Sequence, residues 1–134
     1  MDHSIKSTIE RSAADTHAGR STFGEGVALL KAAGVEAYHA DFRRREATYY
    51  LPSGEWHAVP LPAPEIAVPQ AFDAAALQAA IRGAQRDELR YPEFMQLAMA
   101  AGCVGYFVWI AGHHVEYFSH RGQGHIERFP DAMD

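Results

Sequence analysis

The spacing of apolar residues changes twice along this chain from a helical period to a period of two. Residues 23–33 and 91–101 carry apolar side chains every three or four positions, the period of one face of an α-helix. Gly34 and Gly102 follow, at the position where a left-handed residue commonly ends a helix. Beyond each glycine the period drops to two, which predicts β-strands.

Turn residues divide each of these stretches into three short strands. We expect the strands at 38–42, 47–51 and 56–59 in the first half, and at 104–110, 115–120 and 125–129 in the second. In the first strand Tyr38 should point to the core and His39 and Asp41 to water, so this strand should have one buried and one wet face. The run 103–111 is apolar on both faces, which predicts a central place in the sheet or a place under an oligomer interface.

The two halves can be aligned with each other without a gap. When residues 23–62 are placed against 91–130, an offset of 68, ten of the forty positions are identical, and the matches include two glycines and two tyrosines. Equal spacing of such residues implies equal turns and equal core positions. We therefore predict a single α+β domain over residues 1–134. It consists of a tandem duplication of one helix plus a three-stranded antiparallel meander, with the helices packed on antiparallel sheet. The meanders form either one six-stranded sheet or two packed sheets, and we favour one sheet because it gives both helical stripes a common burial surface.

Two further pieces are expected to lie outside the repeat. Residues 4–18 form a weakly amphipathic helix that ends at Gly19. The segment 60–71 holds four prolines and predicts an extended crossover between the halves. A helix over 73–86 follows, with Asp73 as its N-cap.

Composition and charge narrow the class of protein. The net charge of −5 and the pI near 5.9 argue against a nucleic-acid-binding protein, which usually has a basic face. The single cysteine, Cys103, excludes an internal disulfide and fits a reducing compartment. No apolar stretch reaches the roughly 20 residues that a membrane span needs, and the N-terminus lacks the apolar core of a secretory signal. We therefore expect a cytoplasmic protein without a membrane partner.

Histidines are unusually dense near the C-terminus. Alternation places His114, Glu116 and His120 on one face of a predicted strand, with His125 beyond the next turn. Two imidazoles and a carboxylate are a suitable ligand set for zinc or another divalent ion. No HExxH or CxxC spacing supports this hypothesis, and ordinary surface histidines are the alternative interpretation. We predict no cofactor.

Equivalent positions of the two halves suggest a second candidate site. His57 and His125 match each other across the repeat, as do Tyr49 and Tyr117. If a pseudo-twofold axis relates the halves, the two third strands are expected to face a shared aromatic groove. Such a groove could bind a ligand or support acid–base chemistry near neutral pH. A shared packing template is the alternative explanation of the matches.

Several segments resemble a known family. Residues 29–42 and 48–54 resemble the first half, and residues 91–130 the second half, of the YbcV-like family of bacterial and prophage proteins. That family is a domain of unknown function, often labelled "phage envelope protein", and the resemblance carries over no catalytic residue. It implies a phage-associated, single-domain protein. We expect a small interaction or ligand-binding protein with an unknown protein or small-molecule partner, for which a homodimer is one possible assembly. The alternative is an enzyme or a divalent-metal-binding protein.

Overall fold

The fold consists of helices and strands in two successive groups. The structure, a computed structural model, describes residues 1–130. Its elements are α1 (His3–His17), α2 (Phe23–Ala32), β1 (Ala37–Asp41), β2 (Glu46–Tyr50), β3 (Trp56–Pro60), α3 (Ala74–Gln85), α4 (Tyr91–Ala100), β4 (Cys103–Trp109), β5 (His114–Ser119) and β6 (Gly124–Arg128). Local sequence explains where the helices begin: Thr22 and Glu25 form a reciprocal capping box, and the Asp73 carboxylate accepts a hydrogen bond from the Ala76 amide. Among the described residues, no helix is long and apolar enough to cross a bilayer.

All six strands belong to one antiparallel sheet in the order β3-β2-β1-β4-β5-β6. The α+β class and the packing of helices on a continuous antiparallel sheet are thereby confirmed. β4 is a central strand, as its two apolar faces predicted. The segment 61–73 between β3 and α3 has no regular secondary structure, as its prolines predicted.

The strand register of one half repeats in the other. Tyr38 pairs with Tyr49 in the first half, and Tyr106 pairs with Tyr117 in the second. The other registered pairs obey the same offset of 68 residues, except Cys103 with Ser119, which lies beyond a register shift between Cys103 and Gly105. Between the halves, the β1–β4 register is symmetric about the pair His39 and Phe107, so a pseudo-twofold axis passes through that pair. Duplication of an ancestral unit remains a prediction that this symmetry supports.

The structural repeat is longer than the sequence alignment. α1 and α3 end at His17 and Gln85, again 68 residues apart, and left-handed residues follow them at Gly19 and Asp87. α1 packs on α2 as α3 packs on α4. The helices over residues 4–18 and 73–86, which the sequence places outside the repeat, thus hold equivalent positions in the two halves of the fold. Few residues match there because a helix packs through size and apolarity, which many side chains provide equally well.

The helices cover one face of the sheet only. On that face, alternate strand residues pack with helix residues in the hydrophobic core, and they include Tyr38, Tyr49 and Tyr106. The opposite face of β1 is less exposed to solvent than its alternation predicted: Ala37 is 3% exposed and Asp41 is 8% exposed. Ala37 is covered because its cross-strand neighbours, Tyr50 and Trp109, are large. Asp41 is covered because its carboxylate accepts hydrogen bonds from the backbone amides that begin the next turn.

Candidate functional site

A cavity of about 330 Å³ lies between the helices and the sheet. Its walls combine aliphatic and aromatic side chains with four tyrosines. These tyrosines are Tyr38, Tyr91, Tyr106 and Tyr117, and we call this space the tyrosine cavity. A second space of about 20 Å³ shares Tyr38, Tyr91 and Tyr106 with it and is also lined by Tyr49.

The hydroxyl groups of these tyrosines differ in their hydrogen bonding. The Tyr91 and Tyr106 hydroxyls lie 2.6 Å apart and bond to each other. Within residues 1–130, by contrast, the hydroxyls of Tyr38 and Tyr117 bond to no protein group, although both residues are buried. In the same part of the chain, every side-chain oxygen or nitrogen that is fully inaccessible to solvent has a hydrogen-bond partner. The Tyr38 and Tyr117 hydroxyls therefore keep some accessible surface, and both residues line the tyrosine cavity.

The tyrosine hydroxyls are uncharged at physiological pH. Burial raises the pKa of Tyr38 and Tyr106 well above the usual value, and repulsion from neighbouring phenol groups adds to the rise. Burial likewise raises the pKa of Tyr91 and Tyr117. The cavity therefore presents neutral phenols, each of which can both donate and accept a hydrogen bond.

One carboxylate of the cavity wall is held by two basic side chains. Arg82 forms an ion pair with Glu127, and His125 Nε2 lies 3.0 Å from the other carboxylate oxygen. Burial alone would raise the pKa of Glu127, but hydrogen bonds from Arg82 and His125 outweigh it and the pKa is lowered. Glu127 is thus ionised, and its carboxylate, paired with Arg82 and His125, is a weak proton acceptor.

The four residues predicted to line one groove do not converge. Tyr117 lines the tyrosine cavity and Tyr49 the smaller space, but neither His57 nor His125 lines either one. His57 lies on β3 and His125 on β6, at opposite edges of the sheet and roughly 24 Å apart at about 4.8 Å per strand. The expectation of a shared groove between the third strands is therefore wrong. The pseudo-twofold axis joins the halves through their first strands, which leaves the third strands outermost.

The predicted metal ligands do not assemble either. His114 Nδ1 lies 3.0 Å from the Gly112 carbonyl, and His120 Nε2 lies 3.0 Å from the Val68 carbonyl. His120 follows the end of β5 and turns toward the proline-rich segment, so strand alternation no longer sets its direction. Within residues 1–130, no group of three or more His, Cys, Asp or Glu side chains could hold a metal ion. The prediction that His114, Glu116 and His120 form one metal-binding cluster is therefore wrong.

The sequence interpretation missed Tyr91 as a site residue. Tyr91 begins α4 and aligns with Phe23 of α2, so only the hydroxyl distinguishes the two positions. The available signal for this site residue was its hydroxyl, because the equivalent position of the other half has phenylalanine. Its meaning depends on Tyr106, whose hydroxyl reaches it only in the folded chain.

His17 should make the stability of the fold depend on pH. Its ring stacks on Tyr91 at 5.5 Å, and burial lowers its pKa to about 4, although its place in the last turn of α1 would favour the cation. Because the folded pKa lies below the unfolded one, the stabilisation is complete above about pH 6.5 and is lost as the pH falls toward 4. His17 is partly exposed, so we expect a discounted loss of about 1–2 kcal/mol.

The measurement is urea unfolding of the wild type and His17→Gln between pH 7 and pH 4. The glutamine variant should lose less stability than the wild type over this range, because it has no imidazole to protonate. The exposed His3→Gln variant is the control and should follow the wild type. Equal pH dependence of the wild type and His17→Gln would contradict this role for His17.

Comparison with known proteins provides no relative with an established site. No protein-family model matches the chain, and no curated protein matches it significantly. The resemblance to the YbcV-like family therefore stays a prediction.

Proposed function

We propose that this protein binds a small, uncharged and largely apolar molecule in the tyrosine cavity. The observation that carries the proposal is the pair of hydroxyls, on the buried cavity-lining residues Tyr38 and Tyr117, that have no partner among residues 1–130. Each offers a hydrogen bond that no group of residues 1–130 uses. Binding sites for small molecules typically combine apolar walls with a few such polar groups.

Size and charge narrow the class of ligand. About 330 Å³ lies at the lower end of the roughly 300–1,000 Å³ typical of ligand pockets, which suits one ring or two fused rings. The two carboxylates of the wall, Asp87 and Glu127, are already paired with Arg90 and Arg82. A cationic ligand would therefore have no unpaired carboxylate of the wall to bind. In addition, desolvation of any charge in the apolar interior is costly. A phenol or a similar ring with one hydrogen-bonding group fits best.

Calorimetric titration with p-cresol and toluene tests the chemistry of the site. The two probes share a ring and a methyl group, and only p-cresol carries a hydroxyl. We expect p-cresol to bind about fivefold more tightly, since a net hydrogen bond contributes roughly 1 kcal/mol. In Tyr117→Phe this preference should shrink, because one of the unpaired hydroxyls is removed.

A matched pair of variants tests the location of the site. Ala84 on α3 lines the cavity, whereas Ala79 on the same helix is exposed. Ala84→Phe should weaken p-cresol binding more than tenfold because its ring occupies ligand space, and Ala79→Phe should leave binding unchanged. Undiminished binding by folded Ala84→Phe would contradict the proposal.

The proposal also includes a cellular setting. We propose that the protein acts in the cytoplasm, and the burial of Cys103 supports a thiol that stays reduced. Burial raises the pKa of this thiol to about 11, which makes it a poor nucleophile. Membership in the YbcV-like family and association with phage are part of the same proposal and rest on the sequence resemblance.

A further inference from the structure

The face of the sheet opposite the helices is rich in aromatic side chains. Alternate residues of the strands point there, and none of these rings belongs to the buried core. We call this surface the open face, and its rings are those of His39, Tyr50, Trp56, Phe107, Trp109 and Phe118. Trp56 is 63% exposed and Trp109 is 37% exposed. An apolar surface of this extent on one face usually marks an interaction site.

The orientation of the rings indicates what kind of partner fits. Phe107 lies nearly parallel to His39, at 5.3 Å and 5°, and to Trp109, at 4.2 Å and 13°. Tyr50 continues the stack at 6.0 Å and 14° from Phe107. Rings stacked on one another have their flat sides occupied and present their edges outward. The stacked rings are therefore poorly suited to stacking nucleobases, which need a free ring face, and better suited to close packing against another apolar surface.

We propose that the partner of the open face is the open face of a second copy of this chain. β1 and β4 are the two middle strands of the six, so a twofold axis parallel to the strands at the β1–β4 boundary places β1 over the partner's β4. The two sheets then keep nearly the same strand direction, as in aligned sheet packing. This arrangement is isologous, because each contact occurs twice.

Side-chain sizes are complementary near the axis of this arrangement. Trp109 meets the partner's Ala37, so the largest side chain near the axis lies over one of the smallest. Trp56, on the edge strand β3, faces the partner's β6, which offers the partner's Ile126 and the partner's Arg128. An arginine over an indole ring is a favourable cation–π contact.

The open face is large enough for a reversible dimer. Six strands about 4.8 Å apart and about five residues long, at roughly 3.4 Å per residue, outline roughly 400 Å². Projecting side chains make the accessible area larger than this flat outline. Stable interfaces bury about 800 Å² per partner and weak ones below about 600 Å². The dimer should therefore lie at the lower end of this range and dissociate on dilution.

Sedimentation velocity over a wide concentration range tests the proposal with matched charge variants. Trp109→Glu places a carboxylate on the open face near the axis, and Leu97→Glu adds the same charge at a 48% exposed position on α4. The wild type and Leu97→Glu should form dimers that dissociate on dilution with the same constant. Trp109→Glu should raise the dissociation constant at least tenfold, because two carboxylates per dimer would be buried without partners.

Three results would overturn the proposal. They are a wild type that stays monomeric at every concentration, a Trp109→Glu dimer as tight as the wild type, and a Leu97→Glu dimer weakened as much as the Trp109→Glu one. Circular dichroism establishes that each variant is folded. If Trp109→Glu does not fold, Trp56→Lys provides the same test at a more exposed position of the open face, because the added ammonium would face the partner's Arg128, and an unchanged dimer there would also overturn the proposal.

Discussion

Gly102→Ala should destabilise this protein severely, by about 3–5 kcal/mol. The backbone at Gly102 has a φ of +95°, and a Cβ placed there would lie 2.3 Å from the carbonyl oxygen of Ala71. That carbonyl cannot easily withdraw, because the nearby Asp73 amide donates to the Ala101 carbonyl at 2.8 Å and ties the segment to the end of α4. The steric conflict therefore adds to the ordinary cost of a left-handed alanine. Urea unfolding gives the free energy of both proteins.

Gly34→Ala is the matched control for this prediction. Gly34 occupies the equivalent position of the first half with the same φ of +95°, but no heavy atom lies within 4 Å of its added Cβ. This variant should lose only about 1–2 kcal/mol, the cost of the left-handed conformation. Equal losses at the two glycines would show that backbone strain alone sets the cost and that contact with Ala71 contributes nothing.

Ile9→Ala and Leu77→Ala should each destabilise the fold by about 2–5 kcal/mol, the usual range for truncating a buried aliphatic side chain. Both residues are 0% exposed, and they hold equivalent places on α1 and α3. Their side chains belong to the one core cluster, so a cavity at either place removes contacts that no neighbour can replace without moving. Thermal and urea unfolding should agree on the size of the loss.

Leu29→Ala provides the comparison for these two variants. Leu29 lies on α2 and is 41% exposed, so its truncation should cost less than about 1 kcal/mol. A large loss at Ile9 with a negligible loss at Leu77 would contradict the structural equivalence of α1 and α3. A loss at Leu29 as large as at the other two would contradict the exposed position of Leu29 in the helix layer.

The sequence was most informative where a local rule determines the structure. Thr22 and Glu25 formed the predicted capping box, and Asp73 capped its helix as expected. Gly34 and Gly102 follow α2 and α4 with positive φ, because only a residue without a side chain takes that conformation at little cost. The same reasoning succeeded for β4, whose two apolar faces required a place inside the sheet.

The sequence was least informative about which residues meet across the fold. His57 and His125 look like partners because they match in the repeat, yet β3 and β6 are the two edges of the sheet. Tyr91 and Tyr106 match no common motif, yet their hydroxyls lie 2.6 Å apart. Equivalence within a repeat indicates equal environments, and distance between equivalent residues depends on where the symmetry axis runs.

The sequence by itself determined the helices, the strands, the turns between them and the α+β class, because period, capping and glycine conformation act over a few residues. Only the tertiary structure decided that β1 and β4 join the two halves, and this single pairing has several consequences. It separates the two histidines, creates the tyrosine cavity under the helices and leaves the aromatic face open. Its register of residues 37–41 against 105–109 depends on contacts between residues far apart in the chain, which no local pattern records.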